Sequence, residues 1–385
     1  MFVLRGATVV DADGAREADV AVEDAEIVGV GDAPDDPDEE IDAGGQFVAP
    51  GLVDAHVHVM MDGRADPSEV YDDSEATLAY RTTSNLRDAL DAGVTTVRDL
   101  GSPGSLALDA RDAVEQGVLE GPRVLSAGEA ITMTGGHGYW FGREADGVPE
   151  AKRAAREQLK RGADVVKCMA TGGVLTEGAL TGAPELDEAE IDAIVSAANA
   201  KRVPTAAHAH GTAGIKNAVR AGISSIEHGT FMDREAAELM ADRGTYWVPT
   251  AKALYGIVEA GTEKGVPEFA VEKAEEAIEA WADAFDYALD AGVPIAMGTD
   301  AGTPFNHHRD IPEELELMVD HGLSEEQALE SATVNSADLL GLDGEVGLVE
   351  EGYRADLVVL DSDPRSDVTT WQSPARVVAG GTVVR

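Results

Sequence analysis

Between residues 52 and 299 the chain repeats one pattern, a short apolar run followed by a turn and a longer segment of helical periodicity. Strands that alternate with helices run parallel, and a parallel sheet must be covered on its faces. The spacing predicts strands at Leu52 to His56, Thr95 to Arg98, Arg123 to Ser126, Val165 to Met169, Thr205 to Ala209, Ser225 to His228, Thr245 to Pro249 and Ile295 to Thr299. Eight such strands close into a (β/α)8 TIM barrel, an α/β fold. Gly93, Gly162 and Gly292 follow helical stretches at points where a left-handed residue ends a helix. Ser324 and Gln327 have the spacing of a capping box.

The chain ends read differently. Phe2 to Val10, Asp19 to Glu23 and Glu26 to Val30 alternate apolar and polar residues, as half-buried antiparallel strands do. Three short strands do not stand alone, and matching material occurs at Ala355 to Leu360, Arg376 to Val378 and Thr382 to Val384. Residues 1–49 and 350–385 are therefore expected to form one small β-sandwich domain, with the barrel at 50–349.

A formal net charge of −44, from 73 acidic and 29 basic residues, bounds the partners. Acids such as the run from Asp35 to Glu40 are spread over predicted loops and exposed helix faces. The pattern resembles that of salt-accumulating halophiles, in which molar salt shortens the screening length to about 3 Å and relieves self-repulsion. Thermal unfolding is expected at a lower temperature once molar KCl is removed; a melting temperature indifferent to KCl would contradict this. No basic patch suits a nucleic-acid backbone. No apolar run reaches the roughly 18 residues of a membrane span, and the first residues lack a signal-peptide pattern. Cys168 is the only cysteine, so no internal disulfide is expected, and the chain reads as cytoplasmic.

Chemistry-bearing residues gather where the predicted strands end. His56 and His58, two apart, share one strand face toward the barrel mouth. Lys167 ends the apolar run Gly162 to Val166, where a free ammonium is costly unless it is paired or chemically altered. His208 and His228 close the fifth and sixth strands, and Asp300 follows the eighth. Barrel enzymes place their active sites on this rim. Each residue alone has an ordinary structural alternative, but six brought to one rim by five separate strands are hard to explain as packing. Imidazole and carboxylate are common ligands of zinc and similar divalent ions. Lysine becomes a ligand only after CO2 converts it to an anionic carbamate, which could bridge two metals.

On these residues the chain resembles the amidohydrolase superfamily. The resemblance is carried by VAPGLVDAHVH at 48–58, GVTTVRDLG at 93–101, VVKCMATGGV at 165–174, HAHG at 208–211, IEHGT at 226–230, GTDAG at 298–302, and the late ATVNSADLLGL and GYRADLVVLD. It implies two divalent metal ions, zinc by preference. His56 and His58 would bind the more buried ion, Lys167 would be the carbamate bridge, and His208 and His228 would bind the outer ion. Asp300 would bind the buried ion and carry the proton, while His137 would contact the substrate carbonyl or carboxylate. The stretch after Lys167 is similar to a prolidase-like group that includes Xaa-Pro dipeptidases, carboxypeptidases and a mycotoxin amidase. A small amide or dipeptide substrate and a homo-oligomeric state follow as expectations.

Phe231 stands where related peptidases often have tyrosine, which leaves Tyr255 or Arg98 as replacement polar contacts. His137 is expected in a flexible loop, and His210 behind the ligands as a supporting group. His307 and His308 stay unassigned. Cys168 reads as packing, and His321 as a cation favoured at a helix C-terminus. Two rivals remain: a mononuclear deaminase or imidazolonepropionase-like cyclic amide hydrolase, which has no need of Lys167, and a non-catalytic metal-binding barrel.

Overall fold

A computed structural model of the chain describes all residues except 32, 35 and 179 and the side chain of Tyr71. The head of the acidic run at Asp35 thus lies outside the described residues. Strands Phe2–Asp11 (β1), Gly14–Glu23 (β2), Glu26–Gly31 (β3), Glu39–Asp42 (β4) and Phe47–Pro50 (β5) precede the repeat. Leu52–Val57 (β6), Val94–Asp99 (β7), Arg123–Ser126 (β8), Ile131–Thr132 (β9), Arg143–Glu144 (β10), Val166–Met169 (β11), Thr205–Gly211 (β12), Ser225–Phe231 (β13) and Tyr246–Val248 (β14) follow, and Leu357–Leu360 (β15), Arg376–Ala379 (β16) and Thr382–Val383 (β17) end the chain.

The strands β6, β7 and β8 pair in parallel, as do β11, β12, β13 and β14. The two arcs meet where Asp164 N donates to Ser126 O at 2.9 Å. The eighth expected strand, Ile295 to Thr299, closes the barrel through single bridges, Trp247 with Ile295 and Val57 with Ala301, without a regular ladder. Its bend has a steric cause. A Cβ on Gly298 would stand 2.4 Å from Val248 Cγ1 and 2.9 Å from His56 N, so the backbone passes too close for a pleated register. Thr299 and Asp300 both give their N–H to His56 O, at 3.3 and 2.7 Å.

Helices cover the barrel with narrow apolar faces. Glu268–Ala291 buries Ala270, Ala274, Ala277, Trp281, Ala284, Phe285 and Ala288, a three-to-four residue period in which alanine permits close approach. Trp281 and Phe285 then meet Trp247 at ring centroid distances of 6.0 and 5.2 Å. The glycines after three helices behave as expected: Gly93, Gly162 and Gly292 have positive φ. The Ser324–Gln327 capping box is complete.

Strands from both termini form one sheet, in the order β17-β16-β15-β5-β1-β2-β3, with β4 beside the first part of β1. Leu4, Val9, Val20, Val22, Val48, Leu357 and Val359 enclose a small apolar core. Their alternates Val10, Ala49, Val358 and Leu360 join the core of the barrel, so the middle strands are buried on both faces. Among the described residues no helix is long and apolar enough to cross a membrane. The surface charge is uneven: Lys152, Arg153, Arg156 and Lys160 line one side of helix Gly147–Arg161, a local cationic ridge that the sequence reading does not register.

Candidate metal centre

His56, His58, Lys167, His208, His228 and Asp300 line one pocket at the mouth of the barrel, together with His137 and His210. Strand alternation delivers them: β6 turns Asp54 and His56 inward, and β11 turns Lys167 inward while Cys168 packs into the apolar core. Three residues at the site depart from ordinary backbone. His228 and Asp300 have φ of +70° and +59°, and Thr250, which bonds His228, has φ of +52°. Such conformations cost about 1–3 kcal/mol each and persist where the surroundings enforce them.

His56, His58 and Asp300 form one cluster of metal-ligand type. His56 Nε2 and His58 Nε2 each lie 3.2 Å from Asp300 Oδ1. The hydrogen on each ring is needed elsewhere. His58 Nδ1 faces the carbonyl of Gly101 at 2.9 Å, and His56 Nδ1 faces Glu227 Oε2 at 3.0 Å. With a hydrogen on each Nδ1, the two Nε2 atoms converge on one carboxylate oxygen, an arrangement that a cation held between them would satisfy. Burial acts to raise the Asp300 carboxyl, but His56 and His58 outweigh it and hold it well below the usual range. Asp300 Oδ1 itself is buried with no hydrogen-bond partner.

His208, His210 and His228 form the second cluster, with donor atoms within 4.8 Å of one another. His210 Nδ1 lies 2.7 Å from Thr230 Oγ1, and His228 Nδ1 lies 2.7 Å from Thr250 Oγ1. His208 Nε2 is buried without a partner. Burial, reinforced by the neighbouring rings, pushes His208 and His228 far down, so all are neutral donors at physiological pH. The orphaned nitrogen and carboxylate oxygen, with bare imidazoles around them, fit divalent cations in both clusters. His210 stands nearer the centre than the supporting place expected for it.

Lys167 is buried, and its ammonium is pushed down to about 8, chiefly by desolvation. Beneath the site lies a charge pair that the sequence reading misses. Glu227 Oε1 accepts from Arg98 Nη2 at 3.1 Å and from Ser225 Oγ at 2.5 Å, while its other oxygen faces His56. Burial would raise Glu227, but Arg98, His56 and Lys167 hold it down at about 2. Asp54, pushed up to about 7 by burial, accepts from His56 N at 2.9 Å and Thr299 Oγ1 at 2.6 Å, and so ties the first strand to the segment before Asp300.

His137 reaches the pocket, and hydrogen bonds tie its loop to neighbouring segments. The short strands β9 and β10 pair across it, His137 N donates to Glu185 Oε2 at 2.8 Å, and His137 Nδ1 meets Thr176 Oγ1 at 2.9 Å. The ring stacks on His208 at 4.1 Å. Neither expected replacement contact enters the pocket. Arg98 is spent on Glu227 and on the Ala55 carbonyl, and Tyr255 Oη bonds His321 Nε2 at 2.9 Å. Burial lowers the His321 pKa, and its contact with Tyr255 gives it a structural role. His308 is buried and His307 partly buried; neither lines the pocket.

The chain is similar to several known proteins. The chain is 31% identical to ochratoxinase of Aspergillus niger, over 95% of this chain and 82% of that protein. It superposes on a prolidase complexed with N-methylphosphonate-L-proline with a TM-score of 0.94 and 32% identity, covering 100% and 99% of the two chains. A Xaa-Pro dipeptidase with bound methionine in its active site gives 0.93 at 32% identity, with the same coverage. The amidohydrolase family model matches residues 47–384, and the chain belongs to that family.

Proposed function

We propose that the chain is a metal-dependent hydrolase of amide C–N bonds, prolidase-like in its centre. The observation that carries this reading is the pair of buried donor clusters, His56/His58/Asp300 and His208/His210/His228, opening into one pocket with Lys167. His56, His58 and Asp300 would hold one ion, His208 and His228 the other, and Lys167, as a carbamate, would join them. Two such ions, zinc by preference, would lower the pKa of a shared water from 15.7 to about 7 and polarise the amide carbonyl. The Lys167 environment supports carbamylation, since CO2 adds only to a neutral amine and burial has pushed this one down to about 8.

The remaining roles fall to the chain itself. Asp300 takes the proton of the attacking water and returns it to the leaving nitrogen as the C–N bond breaks. With Thr176 donating to His137 Nδ1, the Nε2–H of His137 is left as a donor to the developing oxyanion. Asp300→Asn is expected to lower kcat by about 10²–10⁴-fold. Glu227 orients His56, and Thr230 and Thr250 orient His210 and His228.

The test combines elemental analysis with a hydrolysis screen of dipeptides, N-acyl amino acids and cyclic amides in high salt with added divalent metal. Two ions per chain and chelator-sensitive hydrolysis are expected. One tightly held ion per chain would favour the mononuclear deaminase or imidazolonepropionase-like rival. No affinity for zinc, manganese or cobalt would leave a non-catalytic barrel.

A further inference from the structure

Above the imidazoles the pocket is apolar. Its walls are built from Met61, Trp140, Phe141, Met169, Leu254 and Ile257, and among the described residues Lys167 and Asp300 are its only charge-bearing side chains other than histidine. Cations in the surrounding layer are committed elsewhere. Arg64 pairs with Asp62 and Asp73 at 2.7 and 3.0 Å, and Arg81 pairs with the same two at 2.9 and 2.7 Å. Lys252 pairs with Glu313 at 2.5 Å. Lys273 gives its ammonium to the carbonyls of Thr176 and Gly173, at 2.9 and 3.4 Å, and so fastens the loop that carries Val174 and Leu175.

The walls offer a different kind of recognition. Trp140 packs edge-on to Phe141 and His137, with centroid distances of 6.0 and 6.3 Å, and presents an aromatic surface to the pocket. Its indole N–H is buried with no hydrogen-bond partner, a donor suited to a neutral carbonyl oxygen. A free dipeptide brings an ammonium and a carboxylate, and an N-acyl amino acid a carboxylate, within a few bonds of the scissile amide. Between these walls such a charge would lose its water and meet no cationic side chain above the metal-ligand cluster.

We infer that the site selects uncharged amides, with aromatic or hydrocarbon groups on both sides of the scissile bond, over free dipeptides and other carboxylate-bearing amides. This inference rests on the hydrolase reading for turnover, but not for binding. The experiment compares N-benzoyl-phenylalanine with its methylamide, which replaces only the carboxylate. Binding to the metal-loaded protein is read from Trp140 fluorescence, with W140F as the control for signal origin. Release of benzoate is read separately.

The methylamide is expected to bind about tenfold more tightly and to be cleaved with at least about tenfold higher kcat/KM. Leu175→Arg, which adds a cation at the partly buried rim, is expected to narrow or reverse that preference. Equal or tighter binding of the carboxylate, or no binding of either compound, would overturn the inference. Preferential binding of the methylamide without benzoate release from either compound would leave it standing while counting against the hydrolase reading.

Discussion

Lys167→Ala is expected to reduce bound metal from two ions per chain to one or none, and to lower kcat/KM by at least about 10³-fold. The reason is the position of the amine. Lys167 lies on an inward-facing strand position, buried beside Glu227 and Asp300, and among the described residues no hydrogen bond engages its Nζ. A structural lysine in such a place would be paired. Lys167→Arg separates the alternatives, because guanidinium keeps the charge but forms no carbamate. Both variants are expected to lose metal, as measured by elemental analysis. A Lys167→Ala protein that retains two ions would end the bridging role.

Glu227→Ala is expected to destabilise the protein by about 3–5 kcal/mol, because it leaves Arg98 charged, fully buried and unpaired. Chemical denaturation in high salt measures this loss. The same change removes the acceptor facing His56 Nδ1 at 3.0 Å, so the ring is free to change tautomer and metal affinity is expected to fall by about 10–100-fold. The double variant Arg98→Met/Glu227→Ala is expected to recover most of the stability but none of the metal affinity. That split tells the charge pair from the orienting contact. Unchanged stability in the single variant would show that Arg98 finds another partner.

Much of the barrel is legible in the sequence because short apolar runs between capped helices leave few alternatives. The Arg123 to Ser126 strand is found at its expected limits, and the other expected barrel strands, apart from the last, differ by one to three residues at their ends. The last differs for a tertiary reason: Gly298 lets the chain pass against Val248 and His56, and no local pattern announces that contact. The ligand-type residues are legible because histidine and lysine at apolar strand ends are costly. The same cost argument applies to Arg98 inside VTTVRDL and Glu227 inside SSIEHG, where a charge interrupts an apolar run. Their pairing spans 129 positions, and such a distance is what a single sequence does not show. The Thr230 contact of His210 and the bonds that hold His137 are hidden likewise, since Thr230, Thr176 and Glu185 lie in separate loops and strands.

The antiparallel pairing of β5 with β15 joins residues 47–50 to residues 357–360. During synthesis the first of these strands leaves the ribosome long before the second exists. The whole barrel can therefore emerge and collapse while the Phe47–Pro50 edge still has no neighbour on that side. A nascent chain halted after Gly341 should expose that edge and bind chaperones, and release of the last forty-odd residues should end the association.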